Sequence, residues 1–206
     1  MADDHAIVRE GLRRLLERDF EIVGEVADGA ALVTAVDTLR PDIVIADISM
    51  PLLNGIDAAR QIRKITRRSR VIFLTMHSEV AYAAAALNAG GSAYVLKSSM
   101  GAEILDAIGE ALQGRNYVTP SIDRQEVLAQ MGRAGRRDGV NLEPTPRQRE
   151  VLQLLAEGKS IKEVAAALNL SSKAVEFHKY KIMKQFGLRN NAELTKYAVK
   201  LGITPI

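Results

Sequence analysis

The chain contains no cysteine. That excludes disulfides, a thiolate metal site and a cysteine nucleophile, and it is compatible with the reducing cytoplasm, the location expected here. No uninterrupted apolar stretch approaches the ~20 residues needed to span a bilayer, so no membrane partner is expected. The start, MADDHAIVRE, has no basic segment followed by an apolar one, and no export signal is visible. Neither sign of charge dominates the 206 residues, whose net charge is +3. The balance is nevertheless uneven. Residues 1–113 hold 12 Lys+Arg and 16 Asp+Glu, net −4, whereas residues 114–206 hold 16 and 9, net +7. An acidic half joined to a basic half points to two domains with different partners, the basic one suited to a polyanion such as DNA.

Helical and strand patterns alternate along the first half. Residues 5–18 place Ile7, Val8, Leu12, Leu15 and Leu16 at helical spacing. EIVGEVA at 21–27 reads as a strand, and GAALVTAVDTLR as a helix stopped by Pro41. DIVIAD at 42–47 is a compact β-branched run, as expected for a strand covered on both faces. A helix at 54–65, a strand at 71–77, an Ala-rich helix at 79–89, a strand at 93–96 and a helix at 100–113 follow. Such alternation implies a doubly wound parallel sheet in an α/β domain over residues 1–113. The pattern lapses over 114–141, read as a linker with a short helix around 121–131. GRAGRRDG at 132–139 is its flexible part.

Residues 142–206 read as a small all-α domain of four helices. Thr145-Pro146-Arg147-Gln148 combines an N-cap, a first-turn proline and a capping-box glutamine. Ser160 to Glu163 is a second capping box, and Asn169-Leu170-Ser171 makes a tight turn. A third helix spans 172–186, ended by Gly187, and a fourth follows Asn190 or Asn191 to Leu201. Two short helices joined by a tight turn, the second long and basic, suggest a helix-turn-helix.

In a doubly wound sheet, ligands bind beyond the carboxyl ends of the strands. Asp3 and Asp4 precede the first helix, Asp47 ends DIVIAD, Thr75 lies near the end of VIFLT and Lys97 follows AYVL. Three clustered carboxylates repel one another unless a cation lies among them, and an all-oxygen site of this size suits Mg²⁺. Lys97 and Thr75 are placed to hold phosphoryl oxygens, with Asp47 as the nucleophile of an aspartyl phosphate. Taken singly, each residue is as readily a helix cap or a solvated loop residue. Only their joint placement at successive strand ends carries the reading.

The segments ADDH at 2–5, DISMPLLNG at 47–55, LTMHS at 74–78 and GGSAYVLKSS at 90–99 resemble the signatures of response-regulator receivers. The resemblance implies a flavodoxin-like fold with strand order 2-1-3-4-5 and phosphotransfer from a histidine kinase. It implies Mg²⁺ bound by Asp4, Asp47 and the carbonyl of Ser49, with Asp3 holding a metal water, and it pairs Thr75 with Tyr94 as a conformational switch. Receivers carry an apolar strand of about five residues before the acidic pair. Here only Met1 and Ala2 stand there, so a stub of the first strand is expected, with a gap or a rearranged sheet beside it. The functional protein is accordingly expected to begin further upstream.

Residues 142–206 resemble the LuxR-type effector of the NarL/FixJ subfamily through TPRQREVLQLLAEGKSIKEVAAALNLSSKAVEFHKYKIMKQFGLRNNAEL. The resemblance makes helix 172–186 the recognition helix. Glu176, Phe177 and Tyr180 then face bases, and Lys173, Lys179, Lys181 and Lys184 face phosphates. It also implies a homodimer on two DNA half-sites, joined through Leu194, Tyr197, Ala198 and Leu201 of the last helix, although that stripe reads equally as core. Two rival readings are an aspartyl-phosphate enzyme and a constitutive DNA-binding factor with a damaged receiver. The first lacks the second acid often found two residues after the nucleophile, where Ser49 stands.

Overall fold

The computed structural model describes residues 1–134 and 144–204, and the chain divides into two compact units, residues 1–137 and 138–206. In the first unit, parallel strands β1 (Ile43–Ala46), β2 (Arg70–Thr75), β3 (Gly91–Leu96) and β4 (Tyr117–Val118) lie side by side in that order. Strand alternation sends Ile45, Ile72, Leu74, Ala93 and Val95 to one face. There they pack with Leu12 and Leu16 of α1 (Ala6–Leu16) and Ile104 and Ile108 of α5 (Met100–Leu112). Val44, Val71 and Phe73 go to the other face, under α2 (Gly29–Leu39), α3 (Gly55–Ile65) and α4 (Val80–Asn88). Helices on both faces explain why β1 and β2 are apolar along almost their whole length.

The expected first strand is a stub. Ala2 donates to the Ile45 carbonyl (2.8 Å) and accepts from the Asp47 amide (2.9 Å). On its other side Met1 accepts from Val26 and Asp3 donates to it. The segment 21–26 lies in the position expected of the second strand but forms no regular ladder. Its bridge to Ala2 at Val26 is isolated, because two residues of stub cannot carry a ladder further. Beyond the stub, a groove of about 370 Å³ separates this segment from β1, lined by Phe20, Ile22, Val36, Leu39 and Ile43 among others.

The stretch expected as a linker is partly ordered into the first unit. β4 extends the sheet beside β3, and α6 (Arg124–Ala134) packs on α4, burying Val127 completely. Val118 and Ile122 are buried as well. Of the flexible part expected at 132–139, residues 132–134 form the end of α6, and the rest lies within 135–143, outside the described residues.

The second unit comprises α7 (Pro146–Ala156), α8 (Ile161–Ala167), α9 (Ser172–Phe186) and α10 (Asn191–Lys200). Both sequence-read capping boxes form, with Thr145 and Gln148 exchanging bonds on α7 and Ser160 and Glu163 on α8. Gly187 closes α9 with φ 68°, the left-handed conformation that glycine adopts without steric cost. Val151, Leu152, Leu154, Val164, Val175, Ile182, Leu194 and Ala198 form its core.

Candidate functional site

The carboxyl ends of the strands bring the predicted pocket together. Asp47, one residue past β1, is 3% exposed and Asp3 is 1% exposed, while Asp4 lies at the surface. The Lys97 ammonium, delivered by the turn after β3, lies 2.7 Å from Asp47 Oδ2 and 2.8 Å from Asp3 Oδ2. Asp3 Oδ2 has no hydrogen bond of good geometry, so the Lys97 charge is what compensates it. Burial by itself would lower the Lys97 pKa, but its close contacts with the Asp3 and Asp47 carboxylates outweigh it and hold the ammonium above its ordinary value.

One ammonium pairs with two of the three carboxylates here. Ligand atoms of Asp3, Asp4, Asp47 and His5 all lie within 4.8 Å of one another. This compact, net-negative set of hard oxygen donors fits a divalent cation such as Mg²⁺. Ser49 borders the pocket, its amide 3.3 Å from Asp47 Oδ1. His5 was not foreseen as part of the cluster. Its Nδ1 lies 2.8 Å from Asp4 Oδ1, a position the sequence signalled only by adjacency to the acidic pair.

Thr75 and Tyr94 are both fully buried. Burial, with the charges of Glu79, Tyr82 and Asp47, pushes the Tyr94 phenol far above its ordinary value, so it remains a donor. It donates to the carbonyl of His77 at 2.9 Å.

On α9, Val175 and Ile182 turn into the core of the second unit. Lys173, Glu176, Phe177, Tyr180, Lys181 and Lys184 lie on the exposed surface, with Lys179 half-buried. Phe177 and Tyr180 are 54% and 62% exposed, an unusual placement for large rings in water. Lys181 Nζ stands 4.5 Å from the Phe177 ring centre and Lys184 Nζ 5.9 Å from that of Tyr180. Cations and aromatic rings thus alternate along one helix face.

Comparison with known proteins agrees with both halves of this geometry. Residues 1–109 match the response regulator receiver domain family, and residues 145–198 match the bacterial regulatory proteins of the luxR family. The chain belongs to the response regulators. Response regulator UvrY of Escherichia coli K12 is 30% identical over 98% of this chain and 94% of its own length. Oxygen regulatory protein NreC of Staphylococcus carnosus is 32% identical over 97% and 95%. Among solved structures, RcsB of Salmonella enterica serovar Typhimurium, bound to a promoter with the phosphomimetic BeF3−, shares 30% identity. It has a TM-score of 0.58 and covers 98% of this chain and 97% of its own.

The response regulator is therefore a flavodoxin-like receiver followed by a LuxR-type helix-turn-helix, of the NarL/FixJ kind, within a family of transcriptional regulators rather than enzymes. No helix among its described residues is long and apolar enough to cross a membrane. One set of site residues is placed differently from expectation. Leu194 and Ala198 are buried inside the second unit, where α10 packs on α7, and Tyr197 stacks on Phe186 at 4.7 Å. Leu201 is half-buried. Leu194 and Ala198 thus serve the core of the second unit.

Proposed function

We propose that this response regulator accepts a phosphoryl group on Asp47 from a histidine kinase in the cytoplasm, and that phosphorylation governs binding of α9 to double-stranded DNA. The observation carrying this reading is the Asp3–Asp47–Lys97 cluster, assembled at the strand ends although the first strand is only a stub. An intact pocket favours a responsive receiver over a damaged, constitutive one.

A carboxylate oxygen of Asp47 attacks phosphorus, the P–N bond of the phosphohistidine breaks, and the imidazole leaves. Lys97 then exchanges part of its contact with Asp3 and Asp47 for a phosphoryl oxygen, and the Thr75 hydroxyl donates to another. Asp4, Asp47 and the Ser49 carbonyl would hold Mg²⁺, with Asp3 on a metal water. The ion supplies charge neutralisation between the incoming phosphoryl group and the acidic pocket. Two copies of α9 would occupy the major groove at two half-sites, a reading supported by the solved structure of two RcsB dimers bound to two parallel DNAs.

Acetyl phosphate with Mg²⁺ tests the chemistry. The intact chain should gain the mass of one phosphoryl group, and Asp47→Ala should gain none. Equal uptake by Asp47→Ala would move the phosphoacceptor elsewhere.

A further inference from the structure

The two residues expected to form the switch, Thr75 and Tyr94, both meet the backbone of His77. The His77 amide donates to Thr75 Oγ1 at 3.3 Å, and the His77 carbonyl accepts from the Tyr94 hydroxyl at 2.9 Å. Its side chain makes two further attachments. Nε2 lies 2.9 Å from the hydroxyl of Ser49, in the loop that carries Asp47. The ring stacks on Tyr82 of α4, centre to centre 4.1 Å and within 4° of parallel. Glu79 stands further off, 4.0 Å from Nδ1. One residue therefore joins the phosphoacceptor loop, both switch hydroxyls and α4.

We propose that His77 is the positioning residue through which the state of the Asp47 pocket is relayed to α4. The inference rests on the phosphoacceptor reading above. Thr75 Oγ1 accepts from the His77 amide at 3.3 Å, so any shift of that oxygen toward a phosphoryl group stretches a bond that is already long. Ser49 feels the same event, since its amide lies on the Asp47 oxygen that becomes part of the acyl phosphate. Both disturbances converge on a ring whose face is already packed against α4. A stacked aromatic pair resists sliding apart, so displacement of His77 carries Tyr82 with it. The same displacement takes away the acceptor that holds the Tyr94 hydroxyl in its buried position.

The test uses the full chain with Mg²⁺ and either acetyl phosphate or beryllium fluoride. Phosphoryl uptake is read by intact mass, and the response of α4 by amide hydrogen exchange over residues 80–88. In the unsubstituted chain, exchange over 80–88 should change on beryllium fluoride binding. His77→Ala should retain at least half of the uptake while the α4 response falls fivefold or more. His77→Phe keeps the ring and loses the Ser49 bond, and should recover part of that response. Tyr82→Leu removes only the stacked partner; it should leave uptake unchanged and reduce the response several-fold, and it carries the test if His77→Ala does not fold. Uptake with an undiminished α4 response in His77→Ala, or in Tyr82→Leu where that variant carries the test, overturns the relay alone. Failure of the unsubstituted chain to take up phosphoryl overturns the reading of Asp47 and the relay with it.

Discussion

Lys97 is bound to Asp47 by an ion pair of 2.7 Å, and Asp3 shares the same ammonium at 2.8 Å. Removing it by Lys97→Ala leaves two buried carboxylates facing each other. Breaking a buried pair from one side costs about 3–5 kcal/mol, and a loss of that size is expected in urea unfolding at neutral pH. Mg²⁺ should recover part of the loss in the variant. In the unsubstituted chain the raised Lys97 pKa fixes the sign of the pH effect: its stabilisation is complete below the ordinary value of 10.5 and disappears as pH climbs through the raised one.

Gly55 stands directly behind Asp47. A Cβ there would come within 2.0 Å of the Asp47 carbonyl oxygen, a backbone atom held by β1. Gly55→Ala should destabilise the receiver by about 1–3 kcal/mol and slow phosphoryl uptake, because Asp47 itself must shift. Gly101→Ala, with open space at its Cβ, is the control and should do neither. Thermal unfolding and the acetyl phosphate time course measure both.

On α9 the expected effects separate by chemistry. Lys181→Ala removes one phosphate partner and should lower the log–log salt slope of DNA binding by roughly one for B-DNA. Tyr180→Ala should instead relax the preference among operator sequences while leaving the slope nearly unchanged. Salt titrations of a selected operator and a scrambled one distinguish the two outcomes. Loss of neither quantity in either variant would remove α9 as the reader.

His178 sits half-buried on the same helix. Burial, then the positive charges of Arg147 and Lys181, lower its pKa below the ordinary 6.5. The unfolded chain therefore binds more protons than the folded one just below pH 6.5, and the His178 contribution to stability falls as pH drops through that window. His178→Gln should flatten this part of the stability profile between pH 7.5 and 5.5, read as the difference in melting temperature from the unsubstituted chain.

Much of the fold was legible because burial on two faces writes itself into composition. Ile43–Ala46 and Arg70–Thr75 are apolar runs with nowhere to go but a covered sheet, and the capping residues Thr145, Ser160 and Asn190 mark helix starts by their own hydrogen bonds. The acidic pocket was legible because Asp3, Asp47 and Lys97 follow strands whose ends must coincide. What escaped depends on contacts distant in sequence. β4 has two residues and exists only because β3 offers an edge. The stretch 21–26 looks like a strand, yet its ladder requires a partner longer than Ala2. On α10, Leu194 and Ala198 share one spacing for core and for interface, and only the packing of α7 chooses between them. His77 shows no pattern at all, since its place comes from four partners on four different segments.

The stub also divides β1 into two mechanical regimes. Ala2 is bonded to Ile45 and Asp47, at the end leading into the acidic pocket, while beside Ile43 the same edge faces the groove. Local unfolding needs least free energy where the backbone has fewest partners, so fraying of this strand begins at Ile43 and reaches Asp47 last. The loosest and the tightest ends of one four-residue strand are only about 10 Å apart.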